Sequence, residues 1–216
     1  MSLSSVGRAS PRHGEGRRFE SGRDNIMNTN IWITSDTHYQ HKNITGPTVS
    51  SWKSGYRNYE SISQMNDDLV AKINSCVLEH DTLYHLGDWS FGGHQFVDEF
   101  RNRIKCKNVH LILGNHDGHI RGMHSEKREL FSSVHDRLEL MYHGYLFIMD
   151  HYPIDVWDRK HRGSYHLYGH VHGTLADRGN RSMDVGVDTN DMKPYHIDEI
   201  IDLLKDRHAS IANRDV

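Results

Sequence analysis

The amino-acid sequence predicts an α/β domain in which two mixed β-sheets pack together and carry helices on their outer sides. The first half of the 216-residue chain alternates apolar, strand-like runs with amphipathic segments. The second half consists mainly of consecutive short strands, and several strands end abruptly in polar clusters. One domain is the expectation for this length, and such a chain can bury roughly 70% of its unfolded surface without a disulfide scaffold.

The first half is predicted to alternate strands with helices. Residues 30–35 form a short apolar run rich in β-branched side chains, which is typical of a buried strand. Residues 63–78 place Met65, Leu69 and Ile73 on one helical face. The elements expected after this helix are a strand at 82–86, a helix at 94–104 and a strand at 109–113.

The second half is predicted to contain strands and few helices. The expected strands lie at residues 133–135, 138–141, 145–149, 165–168 and 181–185. A closing helix is predicted over 197–205, where the charges of Asp198 and Glu199 favour the helix N-terminus. Alternation followed by consecutive strands favours two packed mixed sheets with helices outside.

The composition excludes several classes of protein. With 26 basic and 29 acidic residues, the formal net charge is −3, which gives no basic surface for sequence-independent nucleic-acid binding. No stretch approaches the roughly 18 apolar residues of a membrane helix. Cys76 and Cys106 are far apart and fit a reducing compartment. We therefore expect a soluble, cytoplasmic protein without membrane contact; its oligomeric state is not encoded in any recognisable pattern.

Residues 1–26 are predicted to be a disordered leader, and residues 27–216 the folded domain. The leader is rich in Ser, Gly and Arg and has neither strand nor helix periodicity. Two of its segments, 4–9 and 18–21, look like translations of the D-arm and T-arm of a transfer RNA gene. This suggests that the leader is not native and that the chain begins at Met27. Without the leader, 21 basic and 26 acidic residues remain.

Histidine is the unusual residue type, with 19 copies, and many of them follow predicted strands. Because ligands bind at the carboxyl ends of strands in α/β sheets, we expect these clusters to converge. Oxygen and imidazole donors without thiolate suit Mn, Fe or Zn in open sites. The candidate donors are Asp36, His38, Asp88, Asn115, His116, His151, His170 and His172. Five further histidines are expected to be solvated: His80, His110, His124, His143 and His208.

The order of these motifs resembles the calcineurin-like metallophosphoesterase superfamily, and in particular its small bacterial and phage branch. The motifs are Asp36-Thr37-His38, Gly87-Asp88, Gly114-Asn115-His116-Asp117, His151-Tyr152-Pro153 and Gly169-His170-Val171-His172. The resemblance covers residues 31–205 and implies a four-layer αββα sandwich with two divalent ions about 3.5–4 Å apart. By the family pattern, one ion is held by Asp36, His38, Asp88 and His172. The other is held by Asp88, Asn115, His151 and His170, so Asp88 bridges the two.

The resemblance implies a metal-dependent phosphoric ester hydrolase that uses in-line attack by a metal-bridging hydroxide. His116 is then the proton donor to the leaving group, and His41 is a candidate substrate contact. One stretch departs from the Ser/Thr protein phosphatases of the superfamily, because residues 87–93 lack their second Asp and their Arg. Phosphoprotein phosphatase activity is therefore not expected.

Three functions are compatible with the sequence. The favoured one is hydrolysis of small phosphodiesters or phosphomonoesters. A nuclease would need a basic groove, for which the candidates are the short segments 121–128 and 159–162. A non-catalytic interaction scaffold of the same fold is the third, and the complete ligand set argues against it. Substrate selectivity is expected to come from residues 39–59, 117–130 and 152–164.

Overall fold

The computed structural model describes residues 30–51, 55–123 and 129–208. The predicted leader and the proposed start at Met27 lie outside these ranges, and so does His124. Within them, none of the helices is both long and apolar enough to cross a bilayer.

The first sheet has five strands in the order β4-β3-β2-β1-β9. Neighbours from β1 to β4 run parallel, whereas β9 is antiparallel to β1. The parallel arrangement brings the carboxyl ends of β1, β2 and β3 to one edge of the sheet. These strands are β1 (Ile31–Thr34), β2 (Thr82–His85), β3 (Asn108–Ile112), β4 (Ser133–His135) and β9 (Tyr195–His196).

The second sheet has four strands in the order β5-β6-β7-β8. β5 is antiparallel to β6, and the other neighbours are parallel. Both sheets are therefore mixed. The strands are β5 (Arg137–Tyr142), β6 (Tyr145–Asp150), β7 (Tyr165–Tyr168) and β8 (Ser182–Asp184).

Five α-helices complete the described part of the chain, and the two longest pack on the first sheet. The Ser61 hydroxyl caps α2 by accepting a hydrogen bond from the Gln64 amide at 3.1 Å. On α2, Leu69 and Ile73 are buried against the sheet. The helices are α1 (Lys42–Thr45), α2 (Ile62–Cys76), α3 (His94–Arg103), α4 (Gly118–Arg121) and α5 (Ile197–Leu204).

Two apolar clusters hold these layers together, and alternation along each strand divides the side chains between them. On β2, Leu83 packs with the helices α2 and α3, whereas Tyr84 packs in the second cluster. That second cluster joins the first sheet to Phe147 of β6, Leu167 of β7 and the apolar face of α5. It fixes the two sheets face to face, so the ends of β6 and β7 lie beside those of β1 to β3.

The predicted fold class of two mixed sheets flanked by helices is confirmed, and the predicted strands and long helices form within one or two residues of their expected bounds. β9 was not predicted, because two residues are too few to show a period. The prediction that His110 is solvated is wrong. His110 lies half-buried on β3, with its ring 4.8 Å from that of Tyr84 and its Nδ1 2.6 Å from Ser133 Oγ.

Candidate metal centre

The structure brings the seven predicted metal ligands together where the two sheets meet. Each lies just beyond the carboxyl end of a parallel strand, where the backbone turns away from the sheet and can direct a side chain over the strand ends. The residues are Asp36, His38, Asp88, Asn115, His151, His170 and His172. Subsets of them place their donor atoms within 4.8 Å of one another, as a metal ion requires.

One subset surrounds a position between β1 and the residues after β7. His38 Nε2 lies 3.9 Å from Asp36 Oδ1 and 3.4 Å from Asp88 Oδ2, and His172 Nε2 lies 3.9 Å from the same Asp36 oxygen. His38 Nε2 is buried and has no hydrogen-bond partner among the described residues. A buried polar atom without a partner is costly, so this nitrogen is suited to donating its lone pair to a cation.

The second subset lies on the other side of Asp88. His151 Nε2 is 3.5 Å from Asp88 Oδ2 and 3.0 Å from Asn115 Oδ1, and His170 Nδ1 is 2.9 Å from that amide oxygen. His151 Nδ1 donates to the Leu86 carbonyl at 2.8 Å, which leaves the Nε2 lone pair facing the other donors. Asp88 therefore faces both subsets, as an ion-bridging carboxylate would.

The electrostatics of the pocket favour a bound cation. Burial raises the pKa of Asp36 well above its usual range, and the neighbouring Asp88 charge raises it further. Burial also raises the pKa of Asp88 and lowers those of His38 and His151. Two buried carboxylates this close repel each other when ionised, and divalent cations remove that repulsion. The residues present thus fit the metal ions that the sequence predicts.

Five of the candidate ligands have left-handed backbone conformations, which is uncommon for residues other than glycine. The φ angles are +56° at Asp36, +47° at His38, +58° at Asp88, +72° at His170 and +48° at His172. Each such residue costs on the order of 1–3 kcal/mol and persists only where the surrounding structure enforces it. Half of the ten non-glycine residues with positive φ in the described ranges are thus candidate ligands, and strain at such positions is typical of a functional site.

Gly87 shows how tightly the two ligand loops approach each other. Its φ is +99°, and a Cβ at this position would lie 2.5 Å from the Gly114 nitrogen and 2.7 Å from His151 Nδ1. Any larger residue would push apart the loops that carry Asp88, Asn115 and His151.

Asp117 fixes the same two loops to each other through its buried carboxylate. It accepts hydrogen bonds from the backbone amides of Asp88 at 2.7 Å, Trp89 at 3.0 Å and Gly114 at 2.9 Å. The sequence showed Asp117 within a motif but indicated no role for it. The structure shows that it positions the backbone of the central carboxylate.

Arg57 supports the first subset, and nothing in the sequence singled it out. Its guanidinium binds both carboxylate oxygens of Asp188, at 2.8 and 3.0 Å, and donates to the carbonyls of Asp36 and Thr37 at 2.6 and 3.0 Å. Asp188 Oδ2 in turn lies 2.7 Å from His172 Nδ1. Arg57 is buried, so this one side chain braces both the strained backbone at Asp36 and the ring of His172.

The ionisation of Asp188 fixes the tautomer of His172. Burial opposes its ionisation, but the Arg57 charge and the hydrogen bonds from His172 and Arg57 lower the pKa of Asp188 to about 2. An ionised carboxylate only accepts hydrogen bonds, so His172 must carry its proton on Nδ1. Its Nε2 lone pair is then directed toward Asp36, in the arrangement common for histidines that bind metals.

We expect Asp188→Asn to weaken one metal position and leave the other intact. Loss of such a supporting carboxylate typically costs 10- to 100-fold in metal affinity. Titration of metal-stripped parent protein with Mn²⁺ should show two binding affinities. In the variant, one of these affinities should be weaker and the other unchanged. Asp191→Asn, three residues away and paired with Lys72 at the surface, is the matched control. Equal weakening of both positions would contradict the assignment of Asp188 to the His172 side.

His116 and His41 lie beside the candidate ligands and line the same cavity. The His116 amide donates to Asp88 Oδ1 at 2.9 Å, and its half-buried ring lies 5.3 Å from that of His38. His41 Nδ1 lies 3.2 Å from His38 Nδ1, and burial lowers the pKa of His41 to about 4, helped by the charge of His116. Both rings line a cavity of about 160 Å³ together with five candidate ligands, Tyr56 and Ile44.

Of the three segments expected to set selectivity, residues 39–59 reach this cavity, through His41, Ile44 and Tyr56. The described residues of the candidate basic segments do not form a groove there. Arg121 pairs with Asp136, and residues 124–128 lie outside the described ranges. Arg159 and Arg162 line a separate cavity at the start of β6, roughly 17 Å along the strand from its end at the site.

Comparison with known proteins identifies the family of this chain. The family described as calcineurin-like phosphoesterase matches residues 29–210. The gene 66 protein of Mycobacterium phage L5 is 24% identical over 209 residues, which is 83% of this chain and 96% of the relative. A solved protein of unknown function from Aquifex aeolicus superposes with a TM-score of 0.58, at 22% identity over 82% of this chain and all of its own. The solved structure of an archaeal phosphodiesterase superposes with a TM-score of 0.43, at 18% identity over 73% of this chain and 82% of its own. Since the family match spans most of the sequence, this chain belongs to the calcineurin-like phosphoesterases, a family of metal-dependent hydrolases.

Proposed function

We propose that the protein hydrolyses small phosphodiesters or phosphomonoesters at a dinuclear centre of Mn, Fe or Zn ions. The two ion positions are those defined by Asp36, His38, Asp88 and His172, and by Asp88, Asn115, His151 and His170. The observation that carries the proposal is the shared carboxylate. Asp88 Oδ2 lies 3.4 Å from a nitrogen of one subset and 3.5 Å from a nitrogen of the other.

Two divalent ions at these positions would neutralise the phosphate oxygens and supply hydroxide near neutral pH for in-line attack. The side chains of the protein orient the substrate and donate the proton. Asn115 and the histidines orient the phosphate within a cavity of about 160 Å³. His116, which faces that cavity beside Asp88, holds the proton that the departing alkoxide takes up, a role worth typically 10²–10⁴-fold. His41 contacts the substrate from the same side.

The size and charge of the site favour small substrates over nucleic acid. The described arginines of the candidate basic segments either pair with acidic side chains or lie at the far end of β6. Beyond residue 26 the chain carries 21 basic and 26 acidic residues. An enzyme that contacts one phosphate, mainly through its metals, needs no further cationic surface. A nuclease that neutralises several phosphates needs such a surface.

A comparison of substrates at two salt concentrations tests this proposal. We expect Mn-loaded protein to hydrolyse a small diester such as bis-p-nitrophenyl phosphate, with a KM that changes little between low and physiological salt. Phosphoproteins should be poor substrates, because the stretch after Asp88 lacks the acid and the Arg of the protein phosphatases. A strong preference for single-stranded DNA, with an affinity that falls steeply as salt rises, would instead establish the nuclease.

A further inference from the structure

Three aromatic side chains pack against histidines that line the cavity of the candidate site. Phe91 lies flat on the His41 ring, with centroids 4.1 Å apart and planes 7° apart. Tyr56 stacks on His172 at 4.4 Å and 5°. Tyr152 packs edge-on against His170 at 4.8 Å. We call these three residues the aromatic rim. Each ring packs against a different histidine of the site. The side chains that line the cavity therefore also hold the rim in place.

Part of this rim faces solvent. Phe91 is 39% exposed and Tyr152 is 45% exposed, and they are two of the six large apolar side chains that are exposed within the described ranges. Aromatic side chains beside a polar cavity are a common feature of ligand sites. Their position therefore points to the substrate.

The volume of the cavity indicates which part of the substrate meets the rim. Pockets that enclose a whole small molecule usually measure about 300–1,000 Å³. This one measures about 160 Å³ and is lined mainly by metal-binding side chains. It accommodates the phosphate group, and the organic part of the ester must extend outward across the rim.

The position of His116 indicates which ring meets the leaving group. Its ring lies 5.5 Å from that of Phe91 and 5.6 Å from that of His41. If His116 protonates the leaving oxygen, the group attached to that oxygen passes next to Phe91. Aromatic side chains bind planar heterocycles by stacking, which is worth about 1–3 kcal/mol per base.

We propose that Phe91 is the platform on which a base carried by the leaving group stacks, so that the enzyme prefers nucleoside phosphoesters to simple alkyl esters. This proposal rests on the proposed phosphoesterase function and names the substrate class of that site. Phe91 directly follows the segment Asp88-Trp89-Ser90, and its amide donates to the Tyr39 carbonyl at 2.8 Å. The platform is thereby attached to the loop that carries the central carboxylate.

The test uses two diesters that differ only in stacking: a thymidine dinucleotide and the same diester with hydrogen in place of each base. Their leaving alkoxides are alike, so proton donation affects both equally. With Mn-loaded protein we expect a kcat/KM ratio of about 5 to 150 in favour of the base-bearing substrate, the fold-change that stacking supplies. Phe91→Leu should bring the ratio close to one through a higher KM for the dinucleotide, whereas Phe91→Tyr should preserve it.

Met141→Ala is the control, since Met141 is 59% exposed but pairs with the start of β6, away from the site. Equal rates for the two diesters in the parent protein, or an unchanged ratio in Phe91→Leu, would overturn the platform while leaving the phosphoesterase proposal intact. Absence of metal-dependent hydrolysis of every ester would overturn the phosphoesterase proposal itself.

Discussion

Replacement of Asp88 by Asn should abolish hydrolysis and reduce metal content more than any other single ligand substitution. Asp88 Oδ2 faces nitrogens of both donor subsets, so one neutral amide weakens two metal positions at once. Metal ions supply several kcal/mol of transition-state stabilisation, and we expect kcat/KM to fall at least about 10³-fold. Elemental analysis of dialysed protein should show fewer metal ions than in variants of His38 or His151.

The folding of this variant provides an internal check. Burial raises the pKa of Asp88 in the folded protein, so at neutral pH its ionised form costs stability when no metal is bound. Metal-free Asp88→Asn protein should therefore melt no lower than metal-free parent. Asp136→Asn, which alters an exposed ion pair with Arg121, should keep both activity and metal content. Retention of two metals per chain by Asp88→Asn would refute the bridging role.

Replacement of His116 by Ala should separate chemistry from metal binding. If His116 donates the proton to the leaving group, the variant keeps its metals but loses roughly 10²-fold or more on alkyl esters, whose alkoxides leave poorly. The loss on p-nitrophenyl esters should be much smaller, because p-nitrophenolate leaves without protonation. The measurement is kcat/KM for both ester classes, together with metal content.

Two other outcomes would assign a different role to His116. Equal losses on both ester classes would indicate that it binds the phosphate. Loss of one metal would indicate that it is a ligand, an alternative with a geometric basis, since its nitrogen lies within 4.8 Å of donor atoms of His38 and Asp88.

Much of the fold could be predicted because its strands are short, apolar runs with abrupt polar ends. Residues 30–35 and 109–113 show this pattern, and the parallel order then dictates where their following residues meet. The candidate ligands could be grouped into one site for the same reason. The strand β9 could not be predicted, because Tyr195 and His196 form a strand only by pairing with β1 and show no sequence pattern of their own.

The supports of the site were beyond sequence reasoning for a different reason. The salt bridge between Arg57 and Asp188 joins residues 131 positions apart, and no local sequence spacing indicates it. The left-handed backbone at His38 and His172 is equally invisible, because such angles are uncommon for any residue except glycine and the surrounding structure enforces them here. The face-on contact of Phe91 with His41 depends on how two loops pack, and only the assembled structure defines that.

The central claim is that one cluster of carboxylate, amide and imidazole groups binds two metal ions that act together on a phosphoester. The most direct measurement is titration of metal-stripped protein with Mn²⁺, following bound metal and hydrolysis of bis-p-nitrophenyl phosphate in the same samples. We predict binding that saturates at two ions per chain, with activity that tracks occupancy of the second. Full activity in the presence of a chelator, or saturation without hydrolysis of any phosphoester, would contradict the claim.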